Sequence, residues 1–388
     1  MQSHSGDRSI PASPFLESSR TFRGARIAIM KHLAEIYRSR ALRLGLDLFG
    51  RTLWHLPGCY RLARWLGPDY SLRCVVFHNV ADSESAFTRG LGITITSKDF
   101  ESALKFLTTH YNPVRLLDVL ADPHGYSLPT RPVLVTFDDA YASVYEVAAP
   151  ICRRYGVPAL FFVNAAFLDN RQLALSNLVC YVANMLGMDA ISAAAGIASA
   201  KPVKLRSLKD ALNHFVPAIS LPVREAFHEA LVDQLKTDEA KLAGQARLYL
   251  TGQQLQELAA CDFEIGNHTY THVHCRQLTG KGLNSEIDRN RTALEALLGK
   301  GVRSFSIPYG SSEDLSDELA LHLKRAGYGA AFLAEGMPNQ PRTAPFGLNR
   351  VSINEAGEAA LFSNIEILPR FRALGKWLSG NSKPGAGR

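Results

Sequence analysis

The chain has no run approaching the ~18–20 apolar residues that a membrane-crossing helix needs. Its first residues, Met1–Ser19, are polar and contain no apolar core of secretory-leader length. We therefore expect a cytoplasmic protein with a disordered stretch at 1–19. No two cysteines have C-x-x-C spacing: Cys59, Cys74, Cys152, Cys180, Cys261 and Cys275 are scattered, and Cys152 and Cys180 lie in apolar runs. This is the usage of a reduced protein rather than a disulfide framework. The excess of basic over acidic residues is not spread evenly. Between Arg20 and Arg64 there are ten basic residues against Glu35 and Asp47, whereas the rest of the chain is close to neutral, so no nucleic-acid partner is expected.

That basic segment, 20–70, reads as a helical arm, with leucines from Leu42 to Leu53 interleaved with arginine and with Trp54, Tyr60 and Trp65. Two readings stay open for 20–66: peripheral association with a membrane surface, or an arm packed on the body with a solvated basic face.

With 46% hydrophobic and 20% charged residues, the remainder should be well cored. The stretch RPVLVTFDDAYASVYEVAAPICRRYGVPALFFVN, Arg131–Asn164, organises it. Pro132–Thr136 and Pro158–Val163 are apolar on both faces, as strands buried in a parallel sheet are, and Tyr145–Tyr155 between them reads as a helix. Further strands are expected at Leu72–Val80, at Val114–Leu120 running into a short helix, and at Phe263–Ile265, Phe305–Ile307 and Gly329–Leu333. Helices are expected at Ser97–His110, at Gly252–Ala260 with Thr251 as N-cap, and at Leu283–Leu298 and Ser316–Ala326. Residues 168–250 are Ala/Leu-rich and helical, with a short hairpin near Lys201–Arg206, and read as an insertion; 366–388 reads as a basic tail.

Chemistry in such folds gathers at the carboxyl ends of strands, where Asp138 and Asp139 stand. Adjacent carboxylates repel unless their roles divide, and a cation divides them, one carboxylate ligating and the other free as a base. A loop or helix-capping pair would use the same residues. His268 and His272, four apart in HTYTH, would point one way from a helical turn and share a metal. Two surface histidines would also fit.

TFDDA at 136–140, HTYTH at 268–272 and FSIPYG at 305–310 together resemble the polysaccharide deacetylases, carbohydrate esterases with the NodB homology domain. The likeness runs from about Cys74 to Ile353, apart from the insertion, so 71–167 and 251–365 would form the catalytic body. It implies a distorted, incomplete (β/α) barrel of α/β class that removes N-acetyl groups from a carbohydrate made of N-acetyl amino sugars, using a divalent metal, with zinc expected.

Position by position, the resemblance implies Asp139, His268 and His272 as metal ligands. It implies Asp138 as the general base and the Tyr309 backbone N–H as the oxyanion donor. Three positions depart from the family pattern. Ala140 replaces a glycine. Ser306 stands where an arginine usually orients the base, leaving Arg350 as the candidate for that work. No Leu-x-His follows late in the chain to supply the general acid. FHNV at 77–80 resembles the first strand of a permuted subgroup that includes poly-N-acetylglucosamine deacetylases, which implies His78 as the acid. His274 and Cys275 read as bystanders. A non-catalytic carbohydrate-binding relative, or a hydrolase of another amide or ester, remains open beside the deacetylase.

Overall fold

The computed structural model describes residues 40–58, 71–122, 128–340 and 343–378. Eight short strands form its central sheet: β1 (Arg73–Phe77), β2 (Pro132–Phe137), β3 (Ala159–Val163), β4 (Glu264–Asn267), β5 (Ser304–Ser306), β6 (Ala330–Leu333), β7 (Phe346–Asn349) and β8 (Val351–Ser352). Their spatial order is β7-β6-β5-β4-β3-β2-β1-β8, and every pairing is parallel. A ninth piece, Asn112–Pro113, lies beside β2 and marks a strand shorter than the one expected over Val114–Leu120. Helix Leu116–Ala121 takes up the rest.

The ring is drawn shut by one residue. β7 pairs with β6 at Asn349↔Leu333, and β8 pairs with β1 at Val351↔Val75, so only Arg350 separates the two edges of the sheet. The Arg350 amide donates to the Leu333 carbonyl at 3.0 Å, and the Ile353 amide to the Val76 carbonyl at 3.1 Å. This is the distorted (β/α) barrel that the motifs imply.

Both faces of the strands are buried, since helices cover the outside and side chains fill the inside; β2 and β3 are buried throughout. Alternation sorts the two faces. Val133, Val135, Phe137, Phe161 and Val163 pack outward with helices such as Ser97–His110, which buries Phe100, Leu104 and Leu107. Cys74, Leu134, Leu160, Phe162, Ala330, Phe332 and Leu348 form the separate inner cluster. Gly266 belongs to this crowded interior: a Cβ there would lie 2.4 Å from the Phe162 ring.

Residues 168–250 carry helices and no strand of the sheet. Helices Leu175–Leu186, Met188–Ser199 and Leu221–Leu235 pack on one another around Leu178, Val179, Ile191 and Phe227, a core separate from the barrel's. The hairpin expected near Lys201–Arg206 does not form. Those residues run without regular structure because Leu205 is buried and its amide is bound by Ser192 Oγ at 3.0 Å.

The described part of the basic tail expected over 366–388 is helical as far as Leu378. Its first part packs on helix Arg40–His55, where Gly50 sits so close to Ser363 that a Cβ would meet its Oγ at 2.5 Å. Buried Glu366 binds Arg73 at 3.1 Å and Arg370 at 2.8 Å, which fixes the segment to β1. Of the basic arm, 20–39 and 59–70 lie outside the described residues, as do 1–19 and 379–388. The described part docks Leu53 and Trp54 on the core, exposes Leu44, Leu48 and Phe49, and has Arg51 bound to Asp47 and Glu355. No helix among the described residues is long and apolar enough to cross a membrane.

Candidate active site

The inward face of each strand continues past its carboxyl end in steps of two residues. Cys74 and Val76 lead to His78, Leu134 and Thr136 to Asp138, Gly266 to His268, Ser304 to Ser306, and Leu348 to Arg350. Apolar side chains fill the lower barrel, and polar ones collect at the end where βα loops form a site. After β2 the backbone turns left-handed at Asp139 (φ 72°) and Ala140 (φ 56°), which sets the Asp139 carboxylate beside that of Asp138 rather than on the opposite face. A left-handed conformation costs an ordinary residue roughly 1–2 kcal/mol, the physical reason a glycine suits position 140.

His268–His272 is not the helical turn expected. It is an irregular loop with left-handed Thr269 and His272, because its backbone is held by side chains rather than by its own hydrogen bonds. Asn164 Nδ2 donates to the carbonyls of His268 and Thr269, the latter at 2.9 Å. Asn267 Oδ1 accepts from Thr269 N at 2.9 Å and from Asn290 Nδ2 at 2.7 Å. Glu286 accepts from Thr271 N and Oγ1, both at 2.8 Å. Arg224, from the insertion helix Leu221–Leu235, donates Nη2 to Thr271 O at 2.7 Å.

The two imidazoles still converge. Asp139 Oδ1 lies 3.4 Å from His268 Nε2 and 3.2 Å from His272 Nε2, and one donor atom from each residue falls within 4.8 Å of the others. His268 Nδ1 lies 2.9 Å from Ser306 O, which assigns it the proton and turns Nε2 toward the carboxylates. Asp139 Oδ1 is buried yet has no hydrogen-bond partner among the described residues. Two nitrogens and one oxygen around an unsatisfied buried acceptor are the donor set of an open zinc-type site, so the residues fit a divalent metal.

Burial raises the Asp139 pKa, but His272 and His268 more than reverse this and hold it well below the ordinary carboxylate value. Burial lowers that of His268, and Asp138 and Asp139 leave it raised overall; for His272 burial prevails over Asp139 and the net shift is downward.

Asp138 takes no place in that triangle. Arg350, fully buried, grips it with two prongs, Nη1 to Oδ1 at 2.7 Å and Nη2 to Oδ2 at 2.8 Å. Nη1 also reaches Thr136 Oγ1 at 3.2 Å, Nε the Leu333 carbonyl at 3.1 Å, and Nη2 Ser306 Oγ at 2.7 Å. Ser306 Oγ donates on to Asp138 Oδ2 at 3.2 Å. Burial pushes the Asp138 carboxyl up, while Arg350 and His268 pull it further down, leaving it below the ordinary value. The guanidinium missing from position 306 is thus supplied from position 350, into space that the small serine leaves.

His78 and Tyr309 line the same cleft of about 440 Å³ as Asp138, Asp139 and the two imidazoles. His78 Nδ1 is buried without a hydrogen-bond partner among the described residues. Tyr309 is left-handed at φ 62°, and Gly310 after it (φ 67°) lies where a Cβ would meet Ala334 N at 2.4 Å. The ring of His274 stacks on that of Tyr309 at 3.7 Å and 9°, and its Nδ1 lies 3.6 Å from Asp314. Lys209, Leu212 and Asn213 of the insertion line the cleft as well. Sequence reasoning missed these and Arg224, because no motif marks them and their sequence distance from the strand ends hides the contact.

The polysaccharide deacetylase family model matches residues 125–198 and 223–331, and the gap between the two falls inside the helical insertion. Among solved structures, the chain is similar to the Streptococcus pyogenes deacetylase PplD in complex with acetate, at a TM-score of 0.51 and 14% identity over 76% of this chain and 98% of that one. Weaker overlaps include IcaB from Ammonifex degensii (TM-score 0.47, 19% identity, 80% and 97% covered). Another is the de-N-acetylase from Aggregatibacter actinomycetemcomitans (0.48, 18%, 76% and 99%). No curated protein matches the chain. With its motif residues gathered at one end of the barrel, the chain carries a polysaccharide deacetylase domain over the matched residues.

Proposed function

We propose that this protein is a metal-dependent hydrolase that removes the N-acetyl group from an amino sugar within a carbohydrate. The observation that carries the reading is the division of labour between neighbouring carboxylates: Asp139 faces His268 and His272, and Asp138 is clamped by Arg350. A divalent metal held by Asp139, His268 and His272, with zinc expected, would supply Lewis acidity toward the amide carbonyl and acidify the attacking water.

The chain's own residues do the rest. Asp138, kept ionised and oriented by Arg350, accepts the proton of the attacking water. The Tyr309 backbone N–H donates to the oxygen that gains charge as the carbonyl becomes tetrahedral. His78 gives a proton to the departing amine, so that the C–N bond breaks to leave acetate and a free amino sugar. Ser306, whose presence left a non-catalytic carbohydrate-binding relative open, does not leave Asp138 unattended, since Arg350 binds it.

The test is acetate release by purified protein from a panel of N-acetylated oligosaccharides and amino-sugar precursors. Release should vanish on chelation and return with zinc. Protein that holds metal and frees no acetate from any member overturns the reading.

A further inference from the structure

The N–H assigned to the oxyanion belongs to a residue whose backbone does not hold itself. Tyr309 is left-handed (φ 62°, ψ −15°), a conformation that a residue with a Cβ keeps only where its surroundings impose it. The Gly310 amide donates to Ile307 O at 3.0 Å, and the Gly310 carbonyl accepts from Ala334 N at 2.9 Å. These bonds fix the residue that follows and leave the Tyr309 side chain to other contacts. That side chain lines the cleft, exposed, and meets two imidazoles, His272 at 4.8 Å and 59° and His274 at 3.7 Å and 9°.

The loop after β4 carries His274 and Arg276, and the loop after β5 carries Tyr309 and Asp314. Arg276 joins the two loops: its N and Nε donate to Asp314 Oδ1 at 3.1 and 2.9 Å, and its Nη2 to Oδ2 at 3.2 Å. Asp314 is wholly buried, and such charge-assisted, two-pronged contacts are the geometrically specific ones. His274 is buried beside this clamp, and neither of its ring nitrogens has a hydrogen-bond partner among the described residues. An aliphatic side chain would fill the place without leaving two polar atoms unmatched. What the imidazole offers that an aliphatic chain lacks is a flat face, and the Tyr309 ring lies parallel to it.

We propose that His274 is a positioning residue for the oxyanion donor. Set in place beside the Arg276–Asp314 clamp, its ring fixes the Tyr309 side chain and, through it, the direction of the Tyr309 N–H. The same tyrosine ring touches His272, so the stack also sets the donor relative to the proposed metal. The inference rests on the deacetylase reading and adds a residue to its machinery, leaving base and ligands as they are.

The experiment uses zinc-loaded full-length protein, a turned-over N-acetylated oligosaccharide, and the variants His274→Leu, which fills the space without a flat face, and His274→Phe, which keeps one. His274→Leu should lower kcat by about 10–100-fold, short of the roughly 10²–10³-fold for losing a donor outright, as displacement of a catalytic group does. KM and zinc content should stay within about twofold, since an oxyanion contact is made only in the transition state. His274→Phe should recover most of the loss. Relaxation of the Tyr309 amide in protein labelled with ¹⁵N-tyrosine reads the contact without turnover: its order parameter should fall from the rigid value of about 0.85 in His274→Leu and be kept in His274→Phe. If His274→Leu does not fold, Tyr309→Leu breaks the same stack from the other side and takes its place in the kinetic comparison. In a folded pair, His274→Leu should add little to Tyr309→Leu, as for two halves of one contact. An unchanged kcat, equal losses in His274→Leu and His274→Phe, loss of zinc with activity, additive losses or an unmoved Tyr309 amide each overturns the inference and leaves the deacetylase reading standing. A parent protein that frees no acetate from any sugar overturns that reading, and the donor's role with it.

Discussion

Arg350 and Asp138 meet as a buried two-pronged ion pair between the seam of the barrel and the end of β2, with both N–O distances below 2.9 Å. The residue that closes the sheet is therefore the one that holds the carboxylate proposed as base. Arg350→Met should destabilise the fold by about 3–5 kcal/mol, since it strands a buried charge. Arg350→Lys should fold better but lose the fork. With the guanidinium gone, burial is opposed by His268 but no longer by Arg350, and the Asp138 pKa rises, so the acid limb of the kcat/KM profile should move to higher pH, most in Arg350→Met, which brings no charge of its own. A limb that stays put would show that Arg350 does not set the ionisation of the base.

Asp138→Asn should retain metal and lose turnover by roughly 10²–10⁴-fold, the range for a missing general base. Metal analysis beside steady-state kinetics checks it. Loss of metal together with activity would make Asp138 a ligand.

Zinc should raise the melting temperature of metal-free protein. At a hundredfold excess over Kd the stabilisation should be about 2.7 kcal/mol. His272→Ala should abolish the shift, because it removes one of three converging donors. A full shift in that variant would place the metal elsewhere.

His78→Ala should depress turnover with metal content unchanged and alter the alkaline limb of the pH profile, since the imidazole is assigned the proton for the amine. The buried, unpartnered Nδ1 in the cleft motivates it. Unchanged turnover would remove His78 from the mechanism.

Arg224 touches no proposed ligand side chain but holds the backbone of the loop that carries two of them, through Thr271 O and, at 3.4 Å, His272 O. Arg224→Ala should weaken zinc affinity about 10–100-fold while Arg224→Lys keeps part of it. Such a result would make the insertion a structural partner of the site. An affinity equal to that of the parent would sever the two.

Local sequence determined much of this protein. Runs such as Pro132–Phe137 and Ala159–Val163 are apolar on both faces and can be satisfied only inside a covered parallel sheet. Thr251 followed by Gln254 forms the capping box that begins its helix. Asp138-Asp139 and the paired histidines were legible as chemistry because their residue types and spacing are local properties.

Tertiary structure decided the rest. The histidine loop looks helical by spacing, yet Asn164, Glu286 and Arg224 hold it irregular from three distant segments. Residues 366–378 read only as a basic tail, and the structure fixes where they dock by burying Glu366 between Arg73 and Arg370. Arg350 stands 212 residues from Asp138, and position 306, 168 from it, is where the sequence motif places the orienting cation. Only closure of the ring brings the three together. A guanidinium can then enter from either of these two strand ends, and space and charge admit one.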